Sequence, residues 1–396
     1  MKLSYTTYKK VFEGKKYPLA FVDMDLLDEN IHQIVNRSST YPIRIASKSI
    51  RCTHILNYIF NADKQFQGIM SFSGAEAVFL SKKGFDDILI AYPVTDPDTV
   101  AEIGAEIKTG KYINLMVDKL DHIELINTVG KQNKVRIPIS VDIDMSVDFP
   151  GLHFGVWRSS IRKPMNLKTL LEEIKKMEFI CLEGVMGYEA QIAGVVDKVK
   201  GKMLMNNVVR SLKKFSINKI ASKRKKAVEM ISDMGFNLKI VNGGGTGSLE
   251  STIKEDVITE VTVGSGFFNS HLFDNYSKFS HQPAAGFACA INRHPGKNIY
   301  TCAGGGYVAS GSPESLKLPL PFLPTGAKLF KNEGAGEVQT PFTYKGNETL
   351  RIGDPVFFRH SKAGELCERF NSLNLIRDNR IDKVVPTYRG EGQCFL

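Results

Sequence analysis

Short apolar runs recur along the first two thirds of the chain. They lie at 19–24 (LAFVDM), 42–47 (PIRIAS), 68–71 (GIMS), 86–91 (DDILIA), 112–117 (YINLMV), 134–143, 178–187, 237–242 (NLKIVN) and 258–264 (ITEVTVG). Most are followed by helical spacing of apolar positions, at 25–39, 50–62, 74–83, 96–109, 118–130 and 164–177. Runs this short and this apolar suit strands buried on both faces, and strands alternating with helices predict an α/β fold with a parallel sheet. Nine strands is one more than a closed (β/α)8 barrel requires, and a doubly wound open sheet is the competing arrangement.

After about residue 275 the texture changes to Gly, Pro and aromatic residues, as in HQPAAGFACA, CAGGGYVASG, LKLPLPFLPTG, NEGAGEVQTP and RIGDPVFFRH. No helical period returns until roughly 363–371, which predicts a second, mostly β domain. The segment 203–234 predicts one long basic helix or two joined ones.

Composition refines this little. At 42% hydrophobic and 24% charged, a chain of 396 residues folds into a globular protein, not a disordered one. The net charge of +10 invites a polyanion partner, but it is concentrated. Residues 195–239 hold twelve lysines and arginines against three acids. A solvated helix face accounts for such a stretch, and no nucleic-acid partner is expected. Six widely spaced cysteines without a CxxC pair are not a disulfide framework. No stretch has the length of an apolar membrane span, and MKLSYTTYKKVFEGKKYP has no apolar core of a signal peptide. A cytoplasmic protein with reduced thiols and no membrane partner is expected.

Candidate chemistry clusters at strand ends. GGGTGS, Gly243 to Ser248, follows NLKIVN and precedes a helical stretch. Glycine lets backbone N–H groups approach an anion, a helix start adds its dipole, and Thr246 and Ser248 add hydroxyls. Gly264 and Ser265 end the next strand, so the two turns match the phosphate site that barrels build after strands seven and eight. Two ordinary βα turns would look the same. Lys48, in RIASKSIR (44–51), ends a strand where partial desolvation would free its amine for a Schiff base. Arg44, Ser47 and Arg51 would keep that site polar. Asp142, Asp144 and His153, in VDIDMSVDFPGLHFGV, suit acid–base work or a metal. Tyr188, in GVMGYEAQIAG, could donate a hydrogen bond beside a ring. His360 and Cys367, in VFFRHSKAGELCERF, are metal-ligand types seven residues apart.

In combination, PLAFVDMDLLDENI (18–31), RIASKSIR, GVMGYEAQIAG, NGGGTGS and a β domain carrying His360 resemble the fold-type III pyridoxal-phosphate enzymes. The group resembled is the D-threonine aldolase and D-serine dehydratase family, also described as amino acid deaminase/aldolase. The resemblance implies an α/β architecture: an N-terminal (β/α)8 TIM barrel of alanine-racemase type over 25–274. It also implies a C-terminal mostly β domain over 275–396 that takes in the N-terminal strand of 1–24. That disposes of the ninth strand. It implies that Lys48 carries pyridoxal 5'-phosphate as an aldimine, that Gly244, Gly245, Thr246, Gly247, Gly264 and Ser265 hold the phosphate, and that Tyr188 lies near the cofactor. It implies a homodimer whose site the partner completes, and a lyase for β-hydroxy D-amino acids. A racemase of the same fold, or a barrel holding another phosphorylated ligand such as a flavin, are the alternatives.

Two positions depart from the family pattern. The family binds a divalent metal (Zn, Mn or Mg) through a histidine and a Cys or Asp two residues on. Here His360 is followed by Lys362, leaving Cys367 or Glu365 as the second ligand. The family also places an arginine near the cofactor after the fifth barrel strand, a place that His153 is expected to take.

Overall fold

The computed structural model describes residues 4–311, 314–362 and 364–396. Eight parallel strands close into a barrel: Ile43–Ala46, Phe66–Ser71, Ile88–Ile90, Ile113–Val117, Ile137–Asp142, Ile180–Met186, Ile240–Gly243 and Glu260–Val263. They are called here the first to eighth barrel strands. Residues such as Ile45, Ile69, Leu115, Ile139 and Val261 pack outward into the large apolar core. The inner row is filled by a small separate cluster of Leu89, Met116, Met186 and Ile240. Burial on both faces is why these segments read as continuous apolar runs.

The ninth run leaves the barrel. Leu19–Asp23 pairs antiparallel with Ala285–Gly296 and parallel with Ser372–Arg377, inside a nine-stranded sheet built otherwise from residues beyond 285. The chain therefore starts in the second domain, crosses into the barrel through the helix Met24–Ser38, and returns.

Several local expectations shift. The run 86–91 narrows to Ile88–Ile90, because Asp87 adopts a left-handed φ of 51° that starts the strand late. The segment 203–234 is a single helix, Met203–Asp233. The helical reading of 363–371 reduces to the 3-10 turn Glu365–Glu368. An unforeseen helix, Tyr5–Val11, is capped by Ser4, which accepts from Thr7 N at 3.1 Å. It seats Tyr8 edge-on against Phe21 and Phe357. Among the described residues no helix is long and apolar enough to cross a membrane.

Arg44 does not line the mouth near Lys48. It lies at the strands' N-terminal end, 1% exposed, and plugs the barrel from inside. Its Nε and Nη2 donate to Glu260 at 2.6 and 2.8 Å, and Nη1 and Nη2 reach Asp87. Asn242 completes the network through Glu260 and Thr262. Removing one partner from a buried pair leaves the other charge stranded, at about 3–5 kcal/mol. Arg44→Ala is therefore expected to destabilise the protein by about that amount in urea unfolding, while Arg44→Ala combined with Glu260→Gln recovers part of the loss.

Candidate active site

The C-terminal ends of the barrel strands gather the chemistry. Lys48 sits in a one-turn 3-10 helix, Ser47–Ser49, directly after the first strand. Its Nζ donates to Tyr92 Oη at 2.9 Å, and Tyr92 lies two residues beyond the third strand. The turn itself is clamped. Arg51 Nε donates to the Lys48 carbonyl at 2.9 Å while Arg51 Nη1 pairs with Glu368 at 2.7 Å. Gly364, at φ 81°, lies so close that a Cβ there would collide with the Lys48 carbonyl oxygen. Behind the turn, the fully buried Glu76 accepts from Tyr388 Oη at 2.9 Å and from Phe72 N at 2.7 Å.

The seventh and eighth strands end side by side in the two glycine turns. Gly244 has φ 89°, which favours glycine. At Gly245 a Cβ would lie 2.8 Å from Ala193 Cβ and 3.3 Å from the Tyr188 ring. At Gly264 it would lie 2.6 Å from Ser49 Oγ and 2.9 Å from Ala46 Cβ. The N–H groups of Gly245, Thr246 and Gly247 make no hydrogen bond to a protein acceptor among the described residues. Thr246 Oγ1 accepts from Gly266 N at 2.9 Å, tying the turns together, and Ser265 Oγ lies 3.4 Å from Ser49 Oγ. Arg37 braces this cradle from the outside, donating to the Thr246 carbonyl at 2.6 Å and to Glu250 at 2.6 Å. The helices that follow, Leu249–Thr252 and Ser265–Phe268, are single turns. The anion-binding capacity therefore rests on the free N–H groups and hydroxyls more than on a helix dipole.

Tyr188 lies beyond the sixth strand, and burial pushes its phenol up to about 12. The next residue, Glu189, is held by Arg224 of the long basic helix. Arg224 is buried and donates to Glu189 at 2.9 Å, to the Gly187 carbonyl at 2.7 Å, and to Glu255. Glu189 in turn accepts from Ser248 Oγ at 2.9 Å and from the Thr252 hydroxyl. The same helix buries Lys213 on Asp197 at 3.2 Å. The basic segment is thus not only a solvated face: two of its basic side chains are buried in ion pairs, and one of them, Arg224, holds the floor of the site.

His153 is placed on a hairpin, Val147–Phe149 with Leu152–Phe154, which the sequence did not suggest. It bonds Asp148 at 2.7 Å and stacks on the exposed Trp157 at 3.9 Å. The cation that faces the mouth is Arg158, lying 5.8 and 5.9 Å from the Tyr92 and Tyr188 ring centroids. Asp144 turns away to Ser146 N at 2.6 Å. His360 is buried, and neither ring nitrogen has a hydrogen-bond partner. Cys367 lies with Cys52, Arg51 and Glu368, not with His360, and burial raises its thiol strongly. Lys362 Nζ is tied to Ser310 Oγ at 2.8 Å and Glu365 at 3.5 Å. Among the described residues no three of His, Cys, Asp and Glu form a group that could hold a metal. One histidine, a buried thiol elsewhere and an ammonium two residues away do not fit a metal site.

A family model described as the alanine racemase N-terminal domain matches residues 22–269. Over 256 residues the chain is 19% identical to a 3-hydroxy-D-aspartate aldolase of Paracoccus denitrificans (strain Pd 1222). That alignment spans 63% of this chain and 60% of that protein. The fold is similar to D-threonine aldolase from Filomicrobium marinum, with a TM-score of 0.79 at 14% identity over 95% of each chain. It is also similar to D-threo-3-hydroxyaspartate dehydratase from Delftia sp. HT23, with a TM-score of 0.75 at 15% identity over 94% of this chain and 98% of that one.

Two expectations follow from the site's supports. Arg224→Ala leaves Glu189 and Glu255 buried without a counter-charge, and a loss of about 3–5 kcal/mol is expected on urea unfolding. Burial pushes the Glu76 carboxyl up to about 7, so the folded state binds that proton more tightly than the unfolded chain. Its contribution is whole below the ordinary carboxyl range and is lost as pH rises through 7. Urea midpoints measured against pH should fall less steeply toward alkaline pH in Glu76→Gln than in the parent.

Proposed function

The chain belongs to the alanine racemase N-terminal domain family of fold-type III pyridoxal-phosphate enzymes, and from that premise we propose that it is a pyridoxal-phosphate-dependent lyase acting on β-hydroxy D-amino acids. The observation that carries this reading is the meeting, at one barrel mouth, of Lys48 on Tyr92 with the unbonded N–H groups of Gly245, Thr246 and Gly247. The turns fit a phosphate group, because three consecutive N–H groups there have no protein acceptor among the described residues and the neighbours packed on Gly245 and Gly264 leave no room for a Cβ. The substrate class is supported by the names of the relatives, which are aldolases and a dehydratase of hydroxylated D-amino acids.

Lys48 is the attachment point, and Gly244, Gly245, Thr246 and Gly247, with Gly264 and Ser265, hold the phosphate. Pyridoxal phosphate supplies, when bound, an electron sink that weakens the bonds to the substrate's Cα. Tyr188 lies against the glycine cradle, and Arg158, in place of the expected His153, takes the position of the family arginine near the cofactor. Lys48 Nζ is the atom that takes the proton from Cα, for dehydration, or from the β-hydroxyl, for aldol cleavage. Tyr92 Oη, within hydrogen-bond distance, shares that proton. Burial alone would raise the Tyr92 phenol, but the charges of Lys48 and then Arg158 bring it below its ordinary value. The donor set around His360 does not fit a metal, so no step is assigned to one.

Exposed apolar side chains occur on both the barrel and the second domain, among them Trp157, Met203, Leu204, Met205, Val308 and Val338. They support a homodimer, which light scattering on the purified protein would detect. The purified protein should show visible absorbance, and Lys48→Ala should lose both that band and at least about a thousandfold in kcat. D-Threonine, D-serine and D-3-hydroxyaspartate should be consumed and their L-enantiomers spared, with no loss of rate on adding a chelator. A visible band that survives in Lys48→Ala rules out the attachment point. Interconversion of enantiomers without cleavage would assign a racemase instead.

A further inference from the structure

The glycine cradle contains one peptide group with two accessible senses. Ser248 N donates to the Gly245 carbonyl at 3.0 Å, so residues 245–248 form a hydrogen-bonded β-turn with Thr246 and Gly247 at its centre. Turning the central peptide over converts a type I turn into a type II turn and requires a positive φ at the third residue. The third residue here is glycine, which takes either sign of φ without steric cost. Neither Thr246 nor Gly247 has a positive φ, so the turn is held in the type I sense. A trans peptide points its carbonyl and its N–H in opposite directions. The Thr246 carbonyl accepts from Arg37 Nη2 at 2.6 Å, so the Gly247 N–H points away from Arg37, where no protein acceptor among the described residues meets it.

Arg37, in the last turn of the helix Met24–Ser38, is itself fixed on its other sides. Nε and Nη2 donate to the Glu250 carboxylate at 2.6 and 3.2 Å. Nη1 lies 3.1 Å from His281 Nε2, and a guanidinium can only donate, so the ring proton sits on Nδ1, 3.0 Å from the Gly266 carbonyl. Phe279 covers the guanidinium face at 4.1 Å. Gly266 N donates to Thr246 Oγ1 at 2.9 Å, so the chain of contacts closes through both glycine turns. Glu250 answers the charge, which leaves Arg37 to act on the turn by direction more than by field. We propose that Arg37 is the positioning residue that locks the Thr246–Gly247 peptide in the sense that presents an N–H, and not a carbonyl oxygen, to the phosphate of a bound phosphate monoester. Without it, Gly247 lets the peptide turn over, which removes a donor from the cradle and puts an acceptor in its place. This deepens the phosphate reading of the glycine turns given above and rests on it, but it does not depend on the chemistry at Lys48.

The test uses protein stripped of cofactor and two probes, inorganic phosphate and pyridoxal, which lacks the phosphate. Arg37→Ala should weaken inorganic phosphate by about tenfold or more, the worth of one hydrogen bond to a charged group, while pyridoxal binds as in the parent. Arg37→Lys, which can still donate to the Thr246 carbonyl, should recover part of the loss. In the unsubstituted protein labelled with nitrogen-15 at glycine, inorganic phosphate should shift the Gly247 amide proton downfield. That measurement stands even where Arg37→Ala fails to fold, and a Gly247 amide that phosphate leaves unmoved overturns the proposal. A folded Arg37→Ala that binds phosphate as tightly as the parent overturns it as well. So does one in which phosphate and pyridoxal weaken together, since that marks a general loss of structure. These outcomes sink this proposal alone, whereas a parent protein that binds no phosphate sinks the reading of the glycine turns and this proposal with it.

Discussion

The site's floor depends on one guanidinium. Arg224 reaches out of the long helix Met203–Asp233 and holds Glu189, Glu255 and the Gly187 carbonyl together. Glu189 then passes that constraint to Ser248 and Thr252, just beyond the glycine cradle. Tyr188 and the seventh-strand loop are therefore located by the same buried charge. Desolvating three charges is costly, and such a cluster is tolerated where it specifies geometry that apolar packing would leave loose. Here it fixes the distance between a ring face and a set of free N–H groups.

A second buried cation, Arg44, performs the corresponding task at the opposite end of the barrel. Between the two lies only a thin apolar layer, Leu89, Met116, Met186 and Ile240. The barrel is thus held by charge at both ends and by apolar contact mainly on the outside. One consequence is that the inward rows are free to end in polar side chains. Asp118, Asp142 and the glycine turns occupy strand ends that a fully apolar interior would have closed.

Much of this was legible because the signals were local. The strands show as apolar runs, the cradle as GGGTGS and GSG, and Lys48 as a lysine ending a buried strand. The nine-against-eight mismatch was resolved only by pairing, since Leu19–Asp23 looks like any other buried strand until its partners at 285–288 and 373–376 are known. Tyr92 and Arg158 carry no motif, and they matter because strands distant in sequence bring them to one mouth. Arg224 had a readable signal that charge counting hid. Lys213, Ser216, Ile220, Arg224, Ala227 and Ile231 recur at helical spacing and form the buried face. Reading twelve basic residues as one solvated face averaged over that periodicity.

The second domain bears on the main chain around Lys48 and not on the lysine side chain. Gly364 abuts the Lys48 carbonyl, Glu368 holds the Arg51 that caps the same oxygen, and Tyr388 anchors Glu76 behind the turn. Each of these contacts immobilises the backbone of residue 48. None touches its amine, whose one hydrogen bond among the described residues is to Tyr92. A lysine that must both carry a cofactor and move a proton needs a fixed pivot and a free end, since a mobile pivot forfeits the alignment and a tethered end forfeits the transfer. The partition seen here meets both needs.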